Sequence, residues 1–281
     1  MNTTNSSTFH TAVSMPWIHG LTSVAILAVI LNITQIFLII RKHTGREWKH
    51  SPVFFILSLS VADLLTAIFV LVNNSVYVIM SCHVTWNVLW GQVVCYGILN
   101  SFFHIIALTA DRLHAVHDPL HHMQIMTRSR TIKILFLVWI LSSLFAFNLL
   151  NAHIFMLVKA ILILATGVFL GCVYTLIFKK VHRIIQYQHL SVGISAAEGL
   201  GASVDDLHLK IRKREIHSAV YCACVVLAFV ACSYPMAINN LVNIGSTESD
   251  NGLRTFIVYG LMVVNSVCNP VLYIIKHTCM D

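Results

Sequence analysis

A carboxylate in the middle of an apolar run needs partners, and Asp63 in LSLSVADLL is one. It stands about 12 residues into its apolar stretch, hence ~18 Å deep at 1.5 Å per residue. A charge at that depth costs roughly 2.5–3.5 kcal/mol on insertion scales, so it is expected to face a bundle interior and to be held by other polar groups. Asn32, Ser101, Asn265, Ser266 and Asn269 reach comparable depth in other apolar stretches. Oxygen groups gathered round one carboxylate hold water or a small hard cation. The same groups also suffice for an interhelical hydrogen-bond cluster with no ion.

A second constellation lies near polar boundaries. Arg112 follows Asp111 at the end of an apolar stretch, and Glu215 follows the basic residues Lys210, Arg212, Lys213 and Arg214. A guanidinium there can pair with Asp111 on its own helix and Glu215 on another. Such a half-hydrated latch is worth only ~0–1 kcal/mol, which suits a switch opened by modest ligand energy. The plainer reading is an arginine snorkelling at a membrane interface. Pro235 and Pro270 fall inside apolar stretches and each removes a helix hydrogen bond, giving kinks.

Other groups carry weaker signals. His114, His117, His121 and His122 have the composition of a metal cluster, yet the sequence supplies neither fixed geometry nor supporting partners, and interfacial polar residues are the plainer reading. The eight cysteines (Cys82, Cys95, Cys172, Cys222, Cys224, Cys232, Cys268 and Cys279) contain no CxxC and fall mostly in apolar stretches, as small buried hydrophobes do. By helical spacing Asn73, Val94, Cys95, Ile98, Lys159, Ser233, Met236, Asn240 and Tyr259 face one end of the bundle, the default place for a ligand. Lys159 would attract an anionic or lipid headgroup there, or simply snorkel.

The elements that hold these residues are membrane helices. Of 281 residues, 57% are apolar and only 10% are Asp, Glu, Lys or Arg, against about 25% in soluble domains; the mean hydropathy is +0.79. Lipid accepts such a surface where water does not. Seven apolar stretches of spanning length lie near 18–40, 53–78, 86–116, 132–150, 154–182, 214–243 and 254–275. The fold class expected is an all-α membrane protein, a seven-transmembrane helix bundle over 18–275. An odd number of crossings places all of the 18 Lys and Arg except Lys159 and Arg254 on one face. Positive residues mark the cytoplasm, so the N-terminus is extracellular and the C-terminus cytoplasmic. Segment 1–17 is then an extracellular N-terminal segment, with glycosylation sequons at Asn2 and Asn5, and the first span acts as an uncleaved signal anchor. The stretch 184–213 reads as a flexible cytoplasmic third loop, and 276–281 as a short cytoplasmic tail. The net charge of +7 sits in clusters between apolar stretches without aromatic interleaving, which excludes nucleic acid as a partner.

Taken in order, these residues resemble the rhodopsin-like (class A) G protein-coupled receptor family across all seven spans. The motifs are Asn32; Leu59 with Asp63; Asp111-Arg112-Leu113, followed by the loop Pro119-Leu120; Trp139; Tyr174; Phe229 with Cys232-Ser233-Tyr234-Pro235; and Asn269-Pro270-Val271-Leu272-Tyr273. The resemblance implies a plasma-membrane, multi-pass receptor that binds an extracellular small-molecule, lipid or peptide ligand in its outer half. It then activates a heterotrimeric G protein through Asp111, Arg112, Glu215, Tyr174, Asn269, Pro270, Tyr273, Pro119 and Leu120. It further implies an allosteric sodium ion at Asp63, Ser101, Asn265, Ser266 and Asn269, no other cofactor and no catalytic residue.

The chain also departs from the family pattern. Leu113 replaces a Tyr, Ser233 replaces the switch Trp of the sixth helix, and Asn87 stands where the third helix usually has Cys, so no extracellular disulfide is expected. Departures of this kind occur together in the melanocortin/cannabinoid/lysophospholipid branch, and SPVFFILSLSVADLL and HHMQIMTRSR are most similar to melanocortin receptors. Val94 occupies the place where amine receptors carry a carboxylate, so an amine ligand is not expected. The rival readings are a signalling-deficient orphan or decoy receptor of the same fold, a membrane hydrolase and a transporter. A hydrolase needs clustered metal ligands at one depth, and a transporter an inverted repeat; neither pattern is present in the sequence.

Overall fold

In the computed structural model the residues at 18, 21, 25, 28, 32, 35 and 39 of the first helix are buried, while Ile26, Leu27, Ile30, Ile33 and Phe37 between them are exposed. Spacings of three and four put one stripe inward. Because both stripes are largely apolar, the outward one needs lipid, not water. The structure describes residues 15–43, 51–80, 88–146, 152–198, 202–242 and 252–280. Among them are eight helices and no strand: α1 (Met15–His43), α2 (Ser51–Met80), α3 (Val88–His117), α4 (Pro119–Ile125), α5 (Arg128–Ala146), α6 (Ala152–Glu198), α7 (Ala202–Val242) and α8 (Gly252–Met280).

Seven helices are long, and each coincides with an expected apolar stretch. Among the described residues, five contain a segment long and apolar enough to cross a membrane: Trp17–His43, Pro52–Val76, Arg128–Ala146, Leu157–Arg183 and Ile216–Val242. Large apolar side chains face outward along them, such as Phe136, Leu144, Val168, Leu176 and Leu227. This is a membrane protein of several apolar helices. α3 is the hub, packing on α2, α4, α5, α6 and α7; α1 packs on α2 and α8, and α7 on α6 and α8. Lys180 Nζ donates to the His117 carbonyl at 3.0 Å, which brings the α6 segment with Lys179, Lys180 and Arg183 against the end of α3; this is the basic end of the bundle.

Two segments differ from expectation. Pro119 and Leu120 form the first turn of α4 rather than a loop. Asp118 caps it, accepting from the His121 amide at 3.2 Å, and Pro119 occupies the first helical position, where its missing N–H costs nothing. The segment 184–213, expected as a flexible loop, is helical on both sides of residues 199–201, extending α6 to Glu198 and starting α7 at Ala202. Adding residues to an existing helix is far easier than nucleating one, so helices that begin in the apolar stretches extend past them.

Two glycines permit close helix approach. A side chain at Gly97 of α3 would meet Thr66 Oγ1 of α2 at 2.6 Å, and one at Gly167 of α6 would penetrate the Tyr234 ring of α7. The Tyr234 hydroxyl instead donates to the Leu164 carbonyl at 3.1 Å, fixing the register of α6 against α7.

Candidate functional site

The bundle holds three polar systems separated by apolar layers. The first is built round Asp63. Its carboxylate is buried; Oδ1 accepts from Ser101 Oγ at 3.3 Å and Ser266 Oγ at 3.2 Å, and Oδ2 from Asn269 Nδ2 at 2.7 Å. Three helices thus converge on one carboxylate, which answers the desolvation cost of the charge. Asn32 stands beside them: its Nδ2 donates to the Ser266 carbonyl at 2.8 Å and to the Ala28 carbonyl at 2.8 Å. Asn32 Oδ1, Asn265 Oδ1 and Asn269 Oδ1 are buried with no hydrogen-bond partner. Of the expected cluster, Asp63, Ser101, Ser266 and Asn269 come together directly. Asn265 does not bond the carboxylate. A set of carboxylate, hydroxyl and unsatisfied amide oxygens suits a small hard cation.

A second system, one helical layer aside, escaped the sequence reading. His104 of α3 is buried; its Nδ1 faces the Asn100 carbonyl at 2.8 Å and its Nε2 the Ser58 hydroxyl of α2 at 2.8 Å. Trp139 Nε1 of α5 donates to that same Ser58 oxygen at 2.9 Å. A carbonyl only accepts, so Nδ1 carries the proton. In a neutral ring Nε2 then accepts, and Ser58 donates to it. One imidazole therefore ties α2, α3 and α5. The three residues lie in separate stretches of sequence, and only helix phase joins them.

The third system lies at the basic end. Arg112 is 1% exposed. Nε donates to Asp111 Oδ2 at 3.1 Å, a second guanidinium nitrogen bonds the same oxygen, and a third donates to Ser218 Oγ of α7 at 3.0 Å. Asp111 Oδ1 meets His122 Nε2 of α4 at 2.9 Å. Burial corrects the snorkelling alternative for Arg112: the side chain points into the bundle. The interhelical partner described on α7 is Ser218; the Glu215 side chain lies outside the described residues. Neither contact was anticipated: His122 lies between apolar stretches, where the sequence gives no helix phase, and Ser218 reaches Arg112 only through the rotation of α7 about its axis. Of the histidine group, His121 and His122 stack or tilt against His114, with centroids 5.9 and 5.5 Å apart. Among the described residues no group of His, Cys, Asp and Glu is arranged to hold a metal ion.

Between Asp63 and Arg112 lies an apolar layer. Leu59, Ile105, Leu108, Val225 and Tyr273 are buried in one cluster, each falling between the two polar systems along its own helix. Phe102 and Phe229 close it from above, with centroids 6.4 Å apart. Tyr221, also missed, meets Tyr273 edge-on at 6.4 Å, and Lys276 lies 4.8 Å from its ring centre. The Tyr174 hydroxyl is buried without a hydrogen-bond partner. Pro270 sits inside α8 and Pro235 inside α7.

At the opposite end Ile98 and Met236 share a buried cluster with Ala160, Ile163 and Ala237. Lys159 and Ser233 are buried and Asn73 and Asn240 half-buried. The side chains of Val94, Cys95 and Tyr259 lie outside the described residues, as do Asn2 and Asn5. The buried neighbours Asn74 and Asn239 were not anticipated. Asn74 Nδ2 donates to Thr22 Oγ1 at 3.0 Å, joining α2 to α1.

Residues 31–151 match the family model described as 7 transmembrane receptor (rhodopsin family). The chain is similar to octopamine receptor beta-1R of Drosophila melanogaster, 23% identical over 88% of this chain and 56% of that protein. It is also similar to the histamine H1 receptor of Cavia porcellus, 28% identical over 54% of this chain and 31% of that one. Trace amine-associated receptor 3 of Rattus norvegicus is 29% identical over 43% of this chain and 37% of its own length. The chain thus spans about half, or less, of the length of these relatives. Over these segments the chain is similar to rhodopsin-family seven-transmembrane receptors. The matched proteins are receptors and not enzymes.

Proposed function

We propose that the chain is a multi-pass plasma-membrane receptor that crosses the bilayer seven times, with its N-terminus outside and its basic end in the cytoplasm. It binds an extracellular ligand among the outer ends of α3, α6, α7 and α8 and activates a heterotrimeric G protein at the basic end. The observation that carries this reading is Arg112. A guanidinium with 1% exposure bonded to its own helix and to α7 is a latch across the cleft that a G protein would enter. A ligand favours the open state only by the difference in its affinity for the two states, and a few hydrogen bonds of about 1 kcal/mol each are within that reach.

The Asp63 system supports a sodium ion held by Asp63, Ser101 and Ser266 with the unsatisfied amide oxygens nearby. The ion would add contacts among α2, α3 and α8 and so favour the closed arrangement. Glycosylation at Asn2 and Asn5 follows from the proposed orientation. The melanocortin/cannabinoid/lysophospholipid branch rests on the loop sequences alone. The amines in the relatives' names are not carried over, because Val94 stands where the family's amine receptors hold a carboxylate.

Guanine-nucleotide exchange on heterotrimeric G proteins, in membranes containing the chain, tests the reading. Basal or ligand-driven exchange that Arg112→Ala abolishes is expected; exchange indistinguishable between the two chains with every G protein subtype overturns it.

A further inference from the structure

We propose that Cys232 of α7 and Cys268 of α8 are a redox-modification site, closed into a reversible disulfide by an apolar organic hydroperoxide dissolved in the bilayer. The bridge itself stands apart from the receptor reading above; its effect on signalling rests on that reading.

The thiols of Cys232 and Cys268 are hydrogen-bonded to one another where α7 packs on α8, and both are free. Their place on the two helices separates them from cysteines that are only small buried hydrophobes. Pro235 has no N–H, so the Ala231 carbonyl, four residues earlier, loses its helix donor, and Cys232 lies inside that opened turn. Pro270 does the same to the Ser266 carbonyl, and Cys268 lies inside that turn. Two turns, each short of one helix hydrogen bond, thus meet through a pair of thiols. A disulfide demands a narrow dihedral angle and closely set Cβ atoms. Helix backbone at a proline is already bent and shifts to meet that demand more easily than an intact turn.

Access comes from the lipid side. Cys232 is buried, whereas Cys268 is partly exposed. Val271, three residues on and so on the same side of α8, is 37% exposed. A hydroperoxide among the acyl chains therefore meets Cys268 first. The Cys268 sulfur attacks the terminal peroxide oxygen, the O–O bond breaks, and the thiol proton leaves with the alkoxide as an alcohol. Cys268 is then a sulfenic acid, which condenses with a neighbouring thiol. The Cys232 sulfur attacks the Cys268 sulfur, the S–O bond breaks, and water leaves with the Cys232 proton. Two thiols and one hydroperoxide give one disulfide, one alcohol and one water; the sulfurs lose two electrons and the peroxide gains them. Cys232 stands between Pro235 and Ser218, the α7 partner of Arg112. The bridge therefore ties to α8 the half of α7 that carries the latch.

The test uses the full chain in phosphatidylcholine nanodiscs, reduced first and then exposed to cumene hydroperoxide or to the corresponding alcohol. Free thiols are blocked with N-ethylmaleimide after denaturation, and the peptides are read by mass spectrometry. A peptide pair joined through Cys232 and Cys268 is expected, lighter than its parts by two hydrogen atoms, absent after the alcohol and lost on adding dithiothreitol. The unfolding midpoint should rise with the bridge and fall back on reduction. Cys232→Ala and Cys268→Ala should each lose both the joined pair and the midpoint shift. Both thiols carrying maleimide after the hydroperoxide, both carrying added oxygen without a bridge, or a midpoint shift that survives Cys268→Ala overturns the inference. Should an alanine variant not fold, the peptide map of the unaltered chain decides. Nucleotide exchange assayed in parallel should fall severalfold in the bridged chain and return with dithiothreitol. A bridge that leaves exchange unchanged removes the effect on signalling alone, and a bridge in a chain whose reduced form drives no exchange removes the receptor reading alone.

Discussion

Asn32 donates its side-chain N–H to the Ser266 carbonyl at 2.8 Å, and that carbonyl is the one Pro270, four residues later and lacking an N–H, leaves without a helix partner. The α1 residue thus completes a broken turn of α8. The coupling is measurable. Asn32→Ala should destabilise the chain by about 1–3 kcal/mol, the cost of an unmet buried group, in a thermal unfolding series. In a Pro270→Ala background, where the helix regains its donor, the cost should fall by half or more. Equal costs in both backgrounds break the link.

Sodium should raise the unfolding midpoint of the purified chain more than choline does, and Asp63→Asn should remove that difference, because a neutral amide supplies no charge to the ion. A sodium increment surviving the substitution assigns the cluster a purely structural role.

At the basic end, Ser218→Ala removes one of the bonds holding Arg112 to α7. A neutral bond of roughly 0.5–1.5 kcal/mol corresponds to a rise of about two- to thirteenfold in basal nucleotide exchange, while Arg112→Ala abolishes exchange. No rise for Ser218→Ala means that this contact does not hold the closed state.

His104→Ala should cost about 1–3 kcal/mol, since the Ser58 hydroxyl loses its acceptor and the Asn100 carbonyl its second donor. Nitrogen-15 spectra of labelled histidine should show the His104 proton on Nδ1. A proton on Nε2 in the neutral ring contradicts the hydrogen-bond chain from Trp139.

Gly167→Ala should separate α6 from α7, because the new methyl group falls on the Tyr234 ring. Overpacking of this kind costs about 1–3 kcal/mol. Adding Tyr234→Ala should recover part of it; no recovery would place the strain elsewhere.

How much of this was legible in the sequence follows from what each helix phase constrains. The seven apolar stretches announced the long helices, since a run of apolar residues without charge has few other fates. Asp63 drew Ser101, Ser266 and Asn269 to itself by depth alone, because few polar groups share that depth. Asn265 shares the depth but not the angle: one residue from Ser266, it is turned about 100° round the helix. Ser58, His104 and Trp139 were all visible as residues, yet their meeting depends on how α2, α3 and α5 are rotated about their axes. Apolar sequences that are buried on one side and lipid-facing on the other give almost no signal for that rotation. His122 and the helical reading of 184–213 escaped for a different reason. Both lie at or beyond the ends of the apolar stretches, where hydropathy no longer says what the backbone does.

The layer of Leu59, Ile105, Leu108, Val225 and Tyr273 has an electrical consequence. Four aliphatic side chains and one phenol ring stand there between the hydrogen bonds of Asp63 and those of Arg112, and such groups are poorly polarisable and hold little water. Under the receptor reading, what passes from one polar system to the other passes as movement of helices.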